Sequence, residues 1–377
     1  VRKLIIDENI VPEKIQSLTR LCALEELQIR SNKLTDARVL AALTRLEHLD
    51  LMHTQVSDVS ALAELKGLRH IALKWTRVTD LSDLSAITNL THLDVGHTHV
   101  TGVGALAALT RLELLDLMDT QVSDVSDLSA LKRLEYLYLG GTRVTDLSDL
   151  SVLTNLTYLN VGRTPVTDVS ALAALTRLRH LYIWDTQVSD VSMLAALTNL
   201  TSLDLGRTQV SDVSDLSALT NLRHLCIWGT QVSDVSGLAA LTNLTSLELG
   251  RTQVNDVSDL SALTNLTSLN LGHTQVSDVS ALATLTNLTS LDLKYTQVTD
   301  VSGLAALTNL TSLDLKYTPI TDVSALATLT NIYLLHLCGT RFSNVNSLKN
   351  IKNLYLCVTR HRCMCTQCTR NVTRYMG

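Results

Sequence analysis

Apolar residues recur along this chain in one pattern, repeated every 22 residues. One unit, residues 197–218, reads LTNLTSLDLGRTQVSDVSDLSA, with apolar sites at Leu197, Leu200, Leu203, Leu205, Val210, Val213 and Leu216. Leu203 and Leu205 alternate with Ser202, Asp204 and Gly206. That is the period of a strand with one face buried. Asp212-Val213-Ser214 predicts a turn on the return side, its Asp accepting backbone N–H bonds as an Asx-turn or cap. This Asp recurs from Asp36 to Asp322, with Gly102 in its place once, and so reads as structural.

The phase is long. Thr54, Thr76 and Thr98 begin a series that runs without slip to Thr340, and Asn32 and Asn9 extend the frame upstream. A degenerate half-repeat follows at Val345, Leu348, Ile351 and Leu354. The expected organisation is a solenoid over residues 1–358, about 16 coils plus a terminal half-coil, and a Cys/Arg-rich tail over 359–377. Seven inward sites per coil stack on the coils either side, so stability is a sum over neighbours. A second period of 44 overlies the first: His180, Tyr182 and Trp184 are matched by His224, Cys226 and Trp228. Duplication of a two-coil unit produces this.

The unit resembles the leucine-rich repeat LxxLxLxx(N/C)xL. Its 22-residue length and VSDVSxL segment look like the internalin class, also used by a nuclear regulatory subunit of protein phosphatase 1. The resemblance covers residues 1 to about 356. It implies an α/β-type repeat solenoid: a curved leucine-rich repeat horseshoe, a concave parallel β-sheet, and short loop or 3-10 segments on the convex side. One departure concerns the buried ladder residue, Asn in the family and Thr in fourteen coils here. A hydroxyl offers one donor where the amide offers two, so either the turn is tighter or ordered water fills in.

Composition narrows the function classes. With 46% hydrophobic and 18% charged residues the chain is too apolar for disorder, and no stretch approaches 18 apolar residues, so membrane insertion is not expected. The net charge of −5 gives no basic field to draw nucleic acid. No Ser/His/Asp constellation, phosphate-binding Gly loop or paired-metal motif interrupts the repeats.

Aromatics are 3% of the chain, and all but Phe342, in a core slot, and Tyr375, in the tail, fall in concave or concave-edge slots. The densest group is Tyr136, Tyr138, Tyr158, Tyr182, Trp184 and Trp228, flanked by Arg179, His180 and His224. Exposed Tyr and Trp are typical binding anchors. These nine residues are the candidate partner-binding set. A second reading is that the aromatics cover neighbouring glycines (Gly140, Gly162 and Gly206 lie in the relevant column) and brace the sheet. Asp50, Asp94, Asp116, Asp204, Glu248, Asp292 and Asp314 share one column; Arg163, Arg207 and Arg251 share another, with Lys294 and Lys316 beside it. Parallel acidic and basic tracks suit a protein partner. His48, His70 and His92 form a ladder with Asp50 and Asp94 alongside. It reads as duplicated surface histidine, as a metal site, or as a pH-sensitive interface.

Seven Asn-Leu-Thr triplets, at Asn89, Asn155, Asn199 and onward, match the glycosylation sequon, but the repeat produces them anyway. In the tail, His361, Cys363, Cys365 and Cys368 are close enough in sequence to be zinc ligands. A solenoid cap with disulfides, or a set of unpaired thiols, fits the same spacing. Otherwise no cofactor is expected. Cys226 and Cys338 map to the exposed concave face, and exposed thiols fit a reducing, intracellular compartment. The internalin resemblance implies instead a cell-surface or secreted adhesin.

The expected function is a non-catalytic, monomeric scaffold that binds a protein partner on its concave face. The alternative is the substrate-recognition or regulatory arm of an enzyme (ubiquitin ligase, phosphatase or cyclase regulator type) whose catalytic part lies outside this chain.

Overall fold

The computed structural model describes residues 2–6, 18, 20, 21, 23–342, 345–351 and 355–357, with backbone alone at 345, 350 and 355–357. The tail candidates His361, Cys363, Cys365 and Cys368 lie outside the described residues. The chain falls into two compact units, residues 1–188 and 189–377.

The first unit carries nine strands: β1 (Lys3–Ile6), β2 (Glu26–Ile29), β3 (His48–Asp50), β4 (His70–Ala72), β5 (His92–Asp94), β6 (Leu114–Asp116), β7 (Tyr136–Tyr138), β8 (Tyr158–Asn160) and β9 (His180–Tyr182). The second carries β10 (Ser202–Asp204), β11 (His224–Cys226), β12 (Ser246–Glu248), β13 (Ser268–Asn270), β14 (Ser290–Asp292), β15 (Ser312–Asp314), β16 (Leu334–His336) and β17 (Tyr355–Cys357). Within each unit successive strands pair in parallel, in chain order. The register repeats the sequence period: His48 faces His70, His70 faces His92, and Leu225 faces Leu247. All seven apolar sites of the 197–218 coil are 2% exposed or less, as the periodicity predicts.

The return side is built from 3-10 turns such as Ser214–Ala218 and Ser258–Ala262, and no α-helix occurs among the described residues. The reason is in the spacing. Val213, Leu216, Leu219 and Leu222 lie three apart, and a 3-10 helix puts i and i+3 on one line. The Leu216, Leu219 and Leu222 amides each donate to the carbonyl three residues back. The turn Asp opens each segment as expected: Asp212 Oδ1 accepts from Ser214 N at 2.9 Å, and Asp256 Oδ1 from Ser258 N at 2.8 Å. These bonds hold both carboxyls below the usual Asp range.

The threonine departure has a direct answer. Each buried Thr hydroxyl donates within its own coil, to the carbonyl three residues back: Thr208 Oγ1 to Leu205 O at 2.7 Å, Thr252 Oγ1 to Leu249 O at 2.6 Å. Neither extra water nor a second donor is needed, and among the described residues no buried side-chain polar atom lacks a partner. The coil-to-coil amide ladder sits elsewhere, on the Asn of the Leu-Thr-Asn-Leu segment. Asn243 Nδ2 donates to Thr220 O, Asn265 Nδ2 to Thr242 O and Asn287 Nδ2 to Thr264 O, each at 2.9 Å. The sequon asparagines are thus ladder residues whose amide nitrogens are engaged.

Candidate functional site

Alternation along each three-residue strand sends one side chain inward and two outward. Parallel pairing in exact register then stacks equivalent outward residues into columns. Two columns come from the strand ends. A third follows the strand, at positions such as Gly162, Trp184, Trp228 and Gly250. A fourth sits one residue later, in the left-handed region: Trp75 at φ 61°, Arg163 at 58°, Arg207 at 57°, Arg251 at 58° and Tyr317 at 55°. Glycine is the residue suited to that conformation, yet it fills this position only at Gly141, Gly229 and Gly339 among the described coils.

In the first unit, the His48, His70 and His92 rings stack face to face at centroid spacings of 4.3 and 4.1 Å. Burial, with the like charges of His92 and His48, pushes His70 down to about 4. His70, at the centre of the ladder, is therefore neutral at pH 7. Among the described residues no group of three or more His, Cys, Asp or Glu is placed to hold a metal ion. Beside the stack, an open groove of about 270 Å³ runs over Ala72, between Asp50 and Asp94. Arg30 pairs with Asp50 at 3.5 Å and Lys74 with Asp116 at 3.4 Å. Burial, reinforced by Asp116, pushes Asp94 up to about 6.

Seven of the nine candidate binding residues lie in this unit. Tyr158 is the hub: its ring lies 4.6 Å from Tyr138, 5.3 Å from Tyr182, 5.9 Å from His180 and 6.3 Å from Tyr136. Burial and the two nearest tyrosines push its phenol up to about 12, so it stays neutral. Tyr136 remains 40% exposed at the edge of this cluster, and Arg179 is exposed beside it. Trp184 behaves differently. It lies across Gly162, where an added Cβ would come 2.5 Å from its Nε1.

His224 and Trp228 belong to the second unit. Trp228 covers Gly250, where an added Cβ would come 2.9 Å from its Cδ1. The Arg207 and Arg251 guanidinium carbons lie 4.9 and 5.4 Å from its ring centroid. Farther along, the basic and acidic tracks neutralise each other: Lys294 pairs with Asp292 at 2.6 Å, Lys316 with Asp314 at 2.9 Å. His273, Tyr295 and Tyr317 stack along the left-handed column at 4.4 and 4.6 Å.

Three sequence expectations are corrected. Cys338 is 1% exposed and disulfide-bonded, although it stands in the same column as Trp184 and Trp228. Cys226 is a free thiol but only half-exposed, and burial beside Asp204 pushes it up to about 12. Neither is an exposed reactive thiol, so the compartment argument built on them falls. Phe342 is half-buried, not a core residue. No helix among the described residues is long and apolar enough to cross a membrane.

A coil of inward leucines, with a parallel strand on one side and a 3-10 turn on the other, repeated along the described residues, defines a leucine-rich repeat solenoid. A family model described as a leucine-rich repeat region matches residues 53–322, and a second, for two copies of the repeat, matches residues 22–64. The chain belongs to the leucine-rich repeat family. Among solved structures it is similar to an internalin, InlF of Listeria monocytogenes, at 31% identity over 82% of this chain and 85% of that one, with a TM-score of 0.67. A leucine-rich repeat protein of Leptospira interrogans shares 20% identity over 95% of each chain, with a TM-score of 0.87. The functional domain of InlJ from Listeria monocytogenes, which includes a cysteine ladder, shares 21% over 89% of this chain and 72% of that one, with a TM-score of 0.76. The repeat is internalin-like. No curated protein matches the chain.

Proposed function

We propose that this chain is a non-catalytic protein-recognition scaffold that holds a protein partner on the outward face of its strands. On the first unit the contact set is Tyr136, Tyr138, Tyr158, Arg179, His180, Tyr182 and Trp184; on the second, taken by itself, it is His224 and Trp228. The observation that carries the reading is the tyrosine cluster around Tyr158. The core is complete without it, since inward leucines fill every coil. Four tyrosines and a histidine nonetheless stand together on the outward face. Rigid aromatics with a polar tip contribute large contact area at low entropy cost, and truncating one that serves as a hot spot costs about 2 kcal/mol or more.

The test compares wild type with a Tyr136→Ala/Tyr158→Ala variant and, separately, a Trp184→Ala/Trp228→Ala variant, after matching circular dichroism. Each immobilised full chain is exposed to a lysate and a surface-protein pool. The reading expects a protein retained by wild type and lost with the tyrosine pair. Equal retention by the tyrosine variant would sink it.

A further inference from the structure

The second unit contains a charged arrangement that the aromatic reading does not use. Trp228 receives a guanidinium from the coil before it and another from the coil after it, Arg207 at 4.9 Å and Arg251 at 5.4 Å from the ring centroid. Both arginines are exposed, and among the described residues neither has a carboxylate within ion-pair distance. Between them in the left-handed column stands Gly229, φ 71°, where an added Cβ would sit 3.5 Å from Arg207 Cγ. The two guanidinium groups thus flank the indole, and the Arg207 stem runs along Gly229, which has no side chain of its own.

The neighbouring acids are turned to other partners. Asp204 Oδ1 accepts from Gly206 N at 2.9 Å, and Glu248 Oε2 accepts from Asn270 Nδ2 at 2.7 Å. Burial holds both carboxyls above their usual range. The next residue in the column, His273, is held down by burial and then by the charges of Arg251 and Lys294. Two guanidinium groups thus meet at one indole in a chain whose net charge is −5. Guanidinium forks that rest on an aromatic face keep their in-plane donors free and lose little freedom on binding. Their geometry matches a carboxylate.

Resting on the protein-recognition reading, we propose that Arg207 and Arg251, held against Trp228, receive an acidic side chain of the partner, an Asp or Glu carboxylate seated over Gly229. The site names the chemistry of the partner segment: acidic, extended enough to reach between two coils, and free of bulk at the seat.

The experiment follows the Trp228 indole ¹⁵N–¹H cross-peak of the full chain, assigned with Trp228→Phe. The probes are a blocked hexaglutamate peptide, the matching hexaglutamine peptide and inorganic phosphate. The expected result is a saturable shift with hexaglutamate that weakens as salt rises, and none with hexaglutamine. Arg207→Gln or Arg251→Gln weakens the hexaglutamate affinity about three- to tenfold each. Arg251→Lys, which keeps the charge without the fork, loses less. Both arginines are exposed, so these variants keep the wild-type melting temperature. Equal shifts with the two peptides would overturn the proposal, as would hexaglutamate affinity unchanged in both Gln variants. Phosphate saturating more tightly than the peptide would reassign the site to phosphoryl groups. The readout is confined to the second unit, so its failure leaves the Tyr136/Tyr158 test standing, and failure of that test leaves this titration standing.

Discussion

Trp184 can cover Gly162 or reach a partner, and a double-mutant cycle separates the two roles. A Cβ built at Gly162 would lie 2.5, 2.7 and 2.8 Å from Trp184 Nε1, Cε2 and Cδ1. Ordinary carbon contacts are about 3.5–4.0 Å, so Gly162→Ala must push the ring away by about 1 Å. Overpacking of this kind costs about 1–3 kcal/mol. The backbone at Gly162 is not left-handed, so Ala also recovers about 0.5–1 kcal/mol of chain entropy. The expected net loss is about 1–2 kcal/mol. In a Trp184→Ala background the obstacle is gone and Gly162→Ala should stabilise by about 0.5 kcal/mol. The coupling is then at least about 1 kcal/mol, well above the 0.3–0.5 kcal/mol scatter of independent sites. Urea unfolding of the four proteins measures it globally. Because repeat arrays open locally, hydrogen exchange at Gly141 N–H, which bonds Gly162 O at 2.8 Å, measures it on the spot. A Gly162→Ala cost equal in both backgrounds would refute the covering role.

Three further outcomes are expected. His70 should titrate near 4 by histidine NMR; since the unfolded chain binds that proton near 6.5, its contribution to stability is full above pH 6.5 and is lost as pH falls toward 4, and His70→Phe should remove this dependence while keeping the stack. Asp94 runs the opposite way: its folded-state value is raised to about 6, so its contribution is present below pH 3.8 and lost as pH rises through 6, and Asp94→Asn should raise the melting temperature at pH 7 but not at pH 4. Asn265→Ala removes the 2.9 Å bond to Thr242 O and should cost about 1 kcal/mol in urea unfolding, whereas Thr208→Ser, which keeps the 2.7 Å bond to Leu205 O, should cost less than Thr208→Val.

The sequence by itself determined the coil. Its 22-residue phase named every inward leucine, the strand positions and the Asp turn, because a solenoid contact is a contact with the next repeat and the period is written in the chain. Three-residue spacing from Val213 to Leu222 even held the choice of 3-10 over α. The columns of His48, His70 and His92, and of the acidic residues, were legible for the same reason. What tertiary structure decided is how neighbours in adjoining columns share space. Spacing could place Trp184 and Trp228 outward, but only the packed coils show them lying over Gly162 and Gly250, with Arg207 and Arg251 on the second indole. Which polar group bonds across coils was likewise out of reach. The buried Thr252 hydroxyl turns back to Leu249 O of its own coil, whereas the Thr267 hydroxyl and the Asn265 amide both reach carbonyls of the preceding coil, and which carbonyl each one meets is fixed only once the coils are packed.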